Sequence, residues 1–172
     1  MSTTADPDAG VTVTHPNRDK PVVQATRATV IVLMLATALL VLVITIAGAS
    51  VLEGSGPIVI QGVFVVLYLV LAFYAGRWNR GVLPVSAALA VLLGTFALVS
   101  GPSWFNRDKT GFAQPSLNAG LLGLLTLLII PVQILLIAFA MRGFSQGWNV
   151  ELELRAAPRG PQDYGDASPH MA

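Results

Sequence analysis

Cysteine is absent from this chain, and charge is scarce: 10 Lys+Arg and 9 Asp+Glu in 172 residues, with two histidines. Without cysteine there is no disulfide framework, no thiolate metal site and no thiol–disulfide chemistry. A net charge of +1 supplies no electrostatic footprint for nucleic acid. Charged residues make up 11% of the chain, against about a quarter in an ordinary soluble domain. Their placement excludes more than their number does. Six lie in residues 1–27, seven in 142–172, and only six in the 114 residues between. That middle cannot form the surface of a water-soluble globule, whose exterior needs charge throughout.

What fills the middle instead is apolar. Its six charges divide it into four uncharged runs, 28–52, 54–76, 81–106 and 110–141. About 20 apolar residues cross hydrocarbon as a helix, so each run supplies one span and none comfortably two. Trimmed at polar and turn residues, the spans are expected near 28–50, 57–76, 82–100 and 118–141. Lipid gives backbone N–H and C=O groups no partner, which demands helices or a closed barrel. Leu121-Leu122-Gly123-Leu124-Leu125 and Val63-Phe64-Val65-Val66-Leu67 lack the apolar–polar alternation of barrel strands. Ala47-Gly48-Ala49 has the small-x-small pattern of a signal-peptide cleavage site. The apolar stretch there exceeds the roughly 7–15 residues of a signal core, so the first span is read as retained.

The expected fold is therefore all-α: a membrane-embedded up-down four-helix bundle over 28–147. The tails 1–27 and 156–172, rich in Pro, Ser, Thr, Asp and Gly, are expected to stay disordered and cytoplasmic. Orientation follows from Lys and Arg. Arg18, Lys20, Arg27, Arg77, Arg80, Arg142, Arg155 and Arg159 fall on the side of the termini, against Arg107 and Lys109 on the other. Eight against two places both termini in the cytoplasm. Trp78 and Trp148 on that side, and Trp104 on the other, stand where interfacial aromatics anchor spans.

Spans associate through close packing and interhelical hydrogen bonds, because lipid tails are as apolar as leucine. Small or polar residues at helical spacing mark the inward faces. These are Thr37, Thr45 and Gly48; Gln61, Tyr68, Ala72 and Ala75; Ser86, Ala90, Gly94 and Ala97; and Ala119, Gly123, Thr126 and Gln133. Gln61, Ser86, Thr126 and Gln133 are the candidates for interhelical polar contacts. Pro131 lacks an N–H and predicts a kink near Leu127.

Chemistry is harder to find. No Asp, Glu, Lys, Arg or His lies inside the trimmed spans, and such groups are the usual mark of proton relays and ion pathways. His15 and His170 sit in the polar tails. Neither metal-ligand spacing nor a nucleophile elbow, phosphate loop or dinucleotide fingerprint occurs. The reading is no catalytic residue, no cofactor and no metal.

Two segments outside the spans stand out. The loop 101–116 gathers Trp104, Phe105 and Phe112 around Arg107, Asp108 and Lys109. That composition suits docking to a partner or to lipid headgroups, and equally suits aromatics that anchor helix ends. After the last span, Trp148, Val150, Leu152 and Leu154 alternate with polar residues through Arg155, a strand pattern. A lone strand needs a partner. It could add to another protein, pair with Val11–Thr14, or lie extended on the headgroups. The candidate partner contacts are Trp104, Phe105, Arg107, Asp108, Lys109, Trp148, Val150 and Leu152.

Arg outnumbers Lys eight to two, as in GC-rich bacterial proteomes. The stretch Trp104-Phe105-Asn106-Arg107-Asp108-Lys109, Pro131-Val132-Gln133, Met141-Arg142-Gly143-Phe144 and Gly147-Trp148-Asn149-Val150-Glu151 resembles small uncharacterised actinobacterial integral membrane proteins. The resemblance covers about the last third of the chain, implies residence in the bacterial plasma membrane, and brings no known activity. Two functional classes follow from the sequence. One is a non-catalytic component of a membrane complex, an accessory, scaffold or interaction subunit, with the lipid bilayer and a protein partner or further copies as its company. The alternative is a small oligomeric transporter or channel for a neutral or apolar solute.

Overall fold

The computed structural model describes residues 3–5, 11–14, 16–51, 55–107, 115–148 and 152–155. Four helices dominate it: α1 Pro21–Gly48, α2 Gly56–Gly76, α3 Val82–Asn106 and α4 Ala119–Ser145. All four are long and apolar enough to cross a membrane, the architecture of a multi-pass membrane protein. A 3-10 turn, Ala49–Val51, extends α1. Three short strands, β1 Thr3–Ala5, β2 Val11–Thr14 and β3 Leu152–Arg155, form one antiparallel sheet in the order β1-β2-β3.

The helices outrun the expected spans where charge or proline had marked an end. α1 starts at Pro21 rather than 28. Proline is suited to a first helical position, where its missing N–H costs nothing. Arg27 is absorbed into the helix because its head reaches the last carbonyls of α2: Nε donates to Ala75 O at 3.2 Å, and Nη2 donates to Gly76 O. α3 continues through Pro102 to Asn106, so the first six residues of the expected 101–116 loop are helix. Gly101 packs on Leu127 and Trp104 on Gly48, and these contacts hold the added turns in place. α4 runs unbroken past the exposed Pro131 to Ser145.

α1 and α4 are the two inner helices of the packing. α1 packs on α2 and on α4, α4 packs on α3, and α2 meets α3 only sparsely. In the most apolar stretch of each helix, 44% of α1 is buried but only 28% of α2. The start of α1, the end of α2, the start of α3 and the end of α4 lie together at what we call the terminal end. Arg27 joins Gly76 there, and Gly143 abuts Leu83 and Thr26. At the opposite, hairpin end, Gly48 meets Trp104 and Gly123 meets Phe105. The small-residue faces point inward as expected: Ala72, Ala75, Ser86, Ala90, Ala97, Ala119 and Thr126 are all buried.

The tails differ from the expectation of disorder where they are described. Residues 3–5 and 11–14 are strands, residues 16–19 form a turn, and α1 has begun by Pro21. β2 pairs with β3 in the register Val11↔Arg155, Thr12↔Leu154, Val13↔Glu153 and Thr14↔Leu152. Of the three expectations for the last strand, pairing with Val11–Thr14 is the arrangement found. Neither strand can satisfy its backbone alone, so order here requires both ends of the chain at once. The remainder of the tails lies outside the described residues.

Trp148 does not belong to that strand. Gly147, at φ 59°, turns the chain in the left-handed region that glycine enters without a Cβ clash. The indole of Trp148 then folds back beneath the bundle, fully buried. It sits against Gly143 and stacks edge-on against Trp78 with centroids 5.8 Å apart. Its Nε1 donates to Gln146 Oε1 at 3.3 Å.

Candidate functional site

Three threonines on α1 organise the polar interior, and each meets a glutamine from elsewhere in the chain. Thr37 Oγ1 donates to Leu33 O at 2.8 Å and accepts from Gln133 Nε2 at 2.9 Å. Gln133 Oε1 in turn accepts from the Tyr68 hydroxyl at 2.8 Å, so α1, α2 and α4 are joined at mid-depth. Thr26 repeats the pattern near the terminal end, donating to Val22 O at 2.9 Å and accepting from Gln146 Nε2 at 3.1 Å. Thr45 Oγ1 shares its one hydrogen between Val41 O and Gln61 Oε1. Interhelical bonds of this kind contribute about 0.6 kcal/mol each in membranes. Their larger effect is on register, since a slipped helix would strand a polar group in an apolar interior.

Two of the four candidate interhelical contacts are of another kind. Ser86 Oγ donates to Leu83 O and Thr126 Oγ1 to Leu122 O, each at 2.8 Å and within its own helix. A helical hydroxyl can always reach the carbonyl one turn back, and in an apolar interior that partner is the nearest one. Both residues serve packing by being small. Gln61 and Gln133 do reach across helices, because an amide on a longer stem has no such internal partner.

The candidate partner contacts also divide. Trp104 is buried, its ring against Gly48, where an added Cβ would come within 2.7 Å of Cη2. Trp148 is likewise buried, so both indoles pack mainly against the chain's own helices. Phe105 is half-exposed, with one ring edge on Gly123. Arg107 closes the end of α1: its Nη1 donates to Val51 O at 2.6 Å, while its guanidinium lies 5.8 Å from the Trp104 ring. Ser116 does the same service for Ala47 O, through its N–H at 3.1 Å and its hydroxyl at 3.0 Å. Leu152 lies in β3, opposite Thr14. Asp108, Lys109 and Val150 lie outside the described residues.

The feature that sequence reasoning missed is a cleft of about 400 Å³ at the hairpin end, where α2 and α3 splay apart. Phe64 of α2 and Phe96 of α3 touch edge to face across it, with centroids 6.0 Å apart. Apolar residues from all four helices line its depth, among them Val41, Phe64, Leu93 and Ile129. Towards its outer end come Gln61, Ser100, Ser103 and Arg107. The Ser100 and Ser103 hydroxyls donate to Phe96 O at 2.7 Å and Ser100 O at 2.6 Å, so they offer lone pairs outward. The size is that of a small-molecule pocket. Of the cleft's lining, Gln61, Ala97 and Thr126 were singled out by the sequence for their places within spans, though as packing residues and not as parts of a cleft.

The terminal end is built in the opposite way. Trp78 adopts φ 62°, a left-handed position that a bulky residue rarely takes. It occupies the position usually given to glycine after a helix, with Asn79 N bonded to Tyr74 O and Trp78 N to Ala75 O, both at 3.1 Å. Its ring is held by Trp148 on one side and by the guanidiniums of Arg27 and Arg18, at 4.2 and 5.7 Å from its centroid. Arg18 Nε also donates to Trp148 O, and Asn17 Nδ2 to Gly147 O. Arg80 stacks over Phe144 at 4.1 Å, and its Nε is buried without a hydrogen-bond partner. Among the described residues, no group of three or more His, Asp or Glu is placed to hold a metal ion.

No protein-family model, no curated protein and no solved structure matches this chain.

Proposed function

We propose that this protein is a non-catalytic component of a bacterial plasma membrane, an accessory or interaction subunit that spans the bilayer four times as an up-down bundle. One observation carries this reading. Among the described residues, the buried polar groups of the helices are spent on one another or on their own helix carbonyls, whereas the cleft between α2 and α3 opens at the side of the bundle. A conduit needs polar or titratable groups left over for its solute along the middle of the bundle. Here Tyr68, Gln133 and Thr37 occupy that middle and bind each other. Whatever the protein engages, it engages laterally or through its extramembrane ends. The sheet that joins the two tails adds a folded element outside the spans, consistent with a component that meets other proteins.

Both termini are placed in the cytoplasm by the eight-to-two distribution of Lys and Arg. On that orientation, reporter fusions after residues 54 and 108 are active only outside the cytoplasm. The functional reading is tested by chemical crosslinking and mass spectrometry on mildly solubilised membranes. The expected result is a stoichiometric partner. A pure homo-oligomer that confers neutral-solute flux on liposomes would replace this reading with the transporter alternative.

A further inference from the structure

We propose that the cleft between α2 and α3 holds one acyl chain of an anionic glycerophospholipid from the leaflet at the hairpin end, with its phosphate on Arg107. The polarity of the cleft is graded along its length. Val41, Phe64, Leu93 and Ile129 make its deep part, and Ser100, Ser103 and Arg107 lie at the end of α3. An apolar shaft ending in a cation is the chemical complement of an amphiphile with an anionic head.

Length and size fit the same occupant. From Leu93 to Arg107 along α3 is about 21 Å at roughly 1.5 Å per residue. One leaflet contributes about half of a roughly 30 Å hydrocarbon core, so the cleft begins at mid-bilayer and ends at headgroup level. A partner helix, about 10–12 Å across with its side chains, needs more room than some 400 Å³ provides.

Arg107 is also available. Among the described residues, the guanidinium donates one hydrogen bond, from Nη1 to Val51 O, which fixes it at the mouth. Among these residues none takes Nε or Nη2, and both suit phosphate oxygens. Arginine suits this role because its planar fork meets two phosphate oxygens at once. The Ser100 and Ser103 lone pairs would take the hydroxyl hydrogens of a glycerol headgroup. The site therefore favours phosphatidylglycerol over phosphatidylcholine, whose quaternary ammonium donates nothing and is repelled by the cation.

The test uses the full chain in nanodiscs doped with chain-spin-labelled phosphatidylglycerol or phosphatidylcholine, read as the motionally restricted fraction by electron spin resonance. The wild type should restrict phosphatidylglycerol about threefold or more over phosphatidylcholine at equal doping. Arg107→Gln should abolish that preference, and Arg107→Lys should keep part of it. Ile60→Trp, which fills the cleft from an exposed position and leaves Arg107 in place, should release both lipids. It also keeps the proposal open to failure if Arg107→Gln unfolds the hairpin end. Equal restriction of both lipids by the wild type overturns the proposal, as does a preference that survives both Arg107→Gln and Ile60→Trp. A photoreactive benzoylphenylalanine in place of Phe96 should yield lipid adducts in cell membranes. Protein adducts in their place would assign the cleft to a partner helix and overturn it.

Discussion

The two ends of the bundle close their helices by opposite means. At the terminal end, aromatic rings and guanidiniums stack into one block: Trp148 on Trp78, Arg27 and Arg18 on Trp78, and Arg80 on Phe144. At the hairpin end, Arg107 and Ser116 tie down the carbonyls of α1, but α2 and α3 part and leave a cleft. The contrast teaches where shape is fixed and where it is left adaptable. Strain at Trp78 is held by Trp148, Arg27 and Arg18 packed about its half-buried ring. The cleft has the reverse character, with few cross-contacts and exposed apolar walls, and it is there that a ligand could change the packing.

The largest test of this contrast is Trp148→Ala. Removing a fully buried indole should destabilise by about 3–5 kcal/mol, measured by reversible unfolding in mixed micelles. Hydrogen exchange should rise first around residues 75–80, since Trp78 loses the ring that holds it. A loss spread evenly over both ends would show that the terminal block is not a separate unit.

Gly143→Val probes the same end by crowding. Its Cβ would lie 2.9 Å from Trp148 Cζ2 and 3.2 Å from Leu83 Cδ1. The expected cost is about 1–3 kcal/mol, against under about 0.5 kcal/mol for Gly62→Ala, whose new methyl meets nothing within 4 Å. Equal costs at the two glycines would show that the terminal block yields to an added side chain and is not tightly fixed.

Gln133→Leu acts between the ends and is expected to cost about 1 kcal/mol, since it strands the Tyr68 hydroxyl while Thr37 keeps Leu33 O. The readout is the ultraviolet absorbance of Tyr68 against a Tyr68→Phe control. In the Tyr68→Phe background the same substitution should cost less, and an unchanged cost would show that the two groups are not coupled.

Much of this was legible in the sequence, for a physical reason that also sets its limits. Hydrocarbon excludes charge from the spans, so Glu53, Arg77, Arg80 and the Arg107–Lys109 cluster located the three connections. Close approach of helices demands small residues, so Ser86, Ala90 and Ala97 revealed a buried face. Charge was a poorer guide to helix ends, because Arg27 reaches along its stem to the carbonyls of α2. The burial of two tryptophans was hidden for a related reason. Trp104 and Trp148 have the composition of interfacial anchors, yet glycines at positions 48 and 143 open sockets for them inside the bundle. A socket is made by residues distant in sequence, and no local pattern reports it. The pairing of Thr26 with Gln146 and the splay of α2 from α3 are hidden in the same way.

The link between the tails has a consequence for the order of events during synthesis. Asn17 and Gly147, hydrogen-bonded to each other, stand 130 residues apart, with all four helices between them. β2 leaves the ribosome early and cannot find β3 until the last helix has been made. At about 5–20 residues per second that wait is on the order of ten seconds. The sheet is thus the final element to close, and a chain whose tails have met is one whose four helices have all been made and inserted, an even number that returns both tails to the same side.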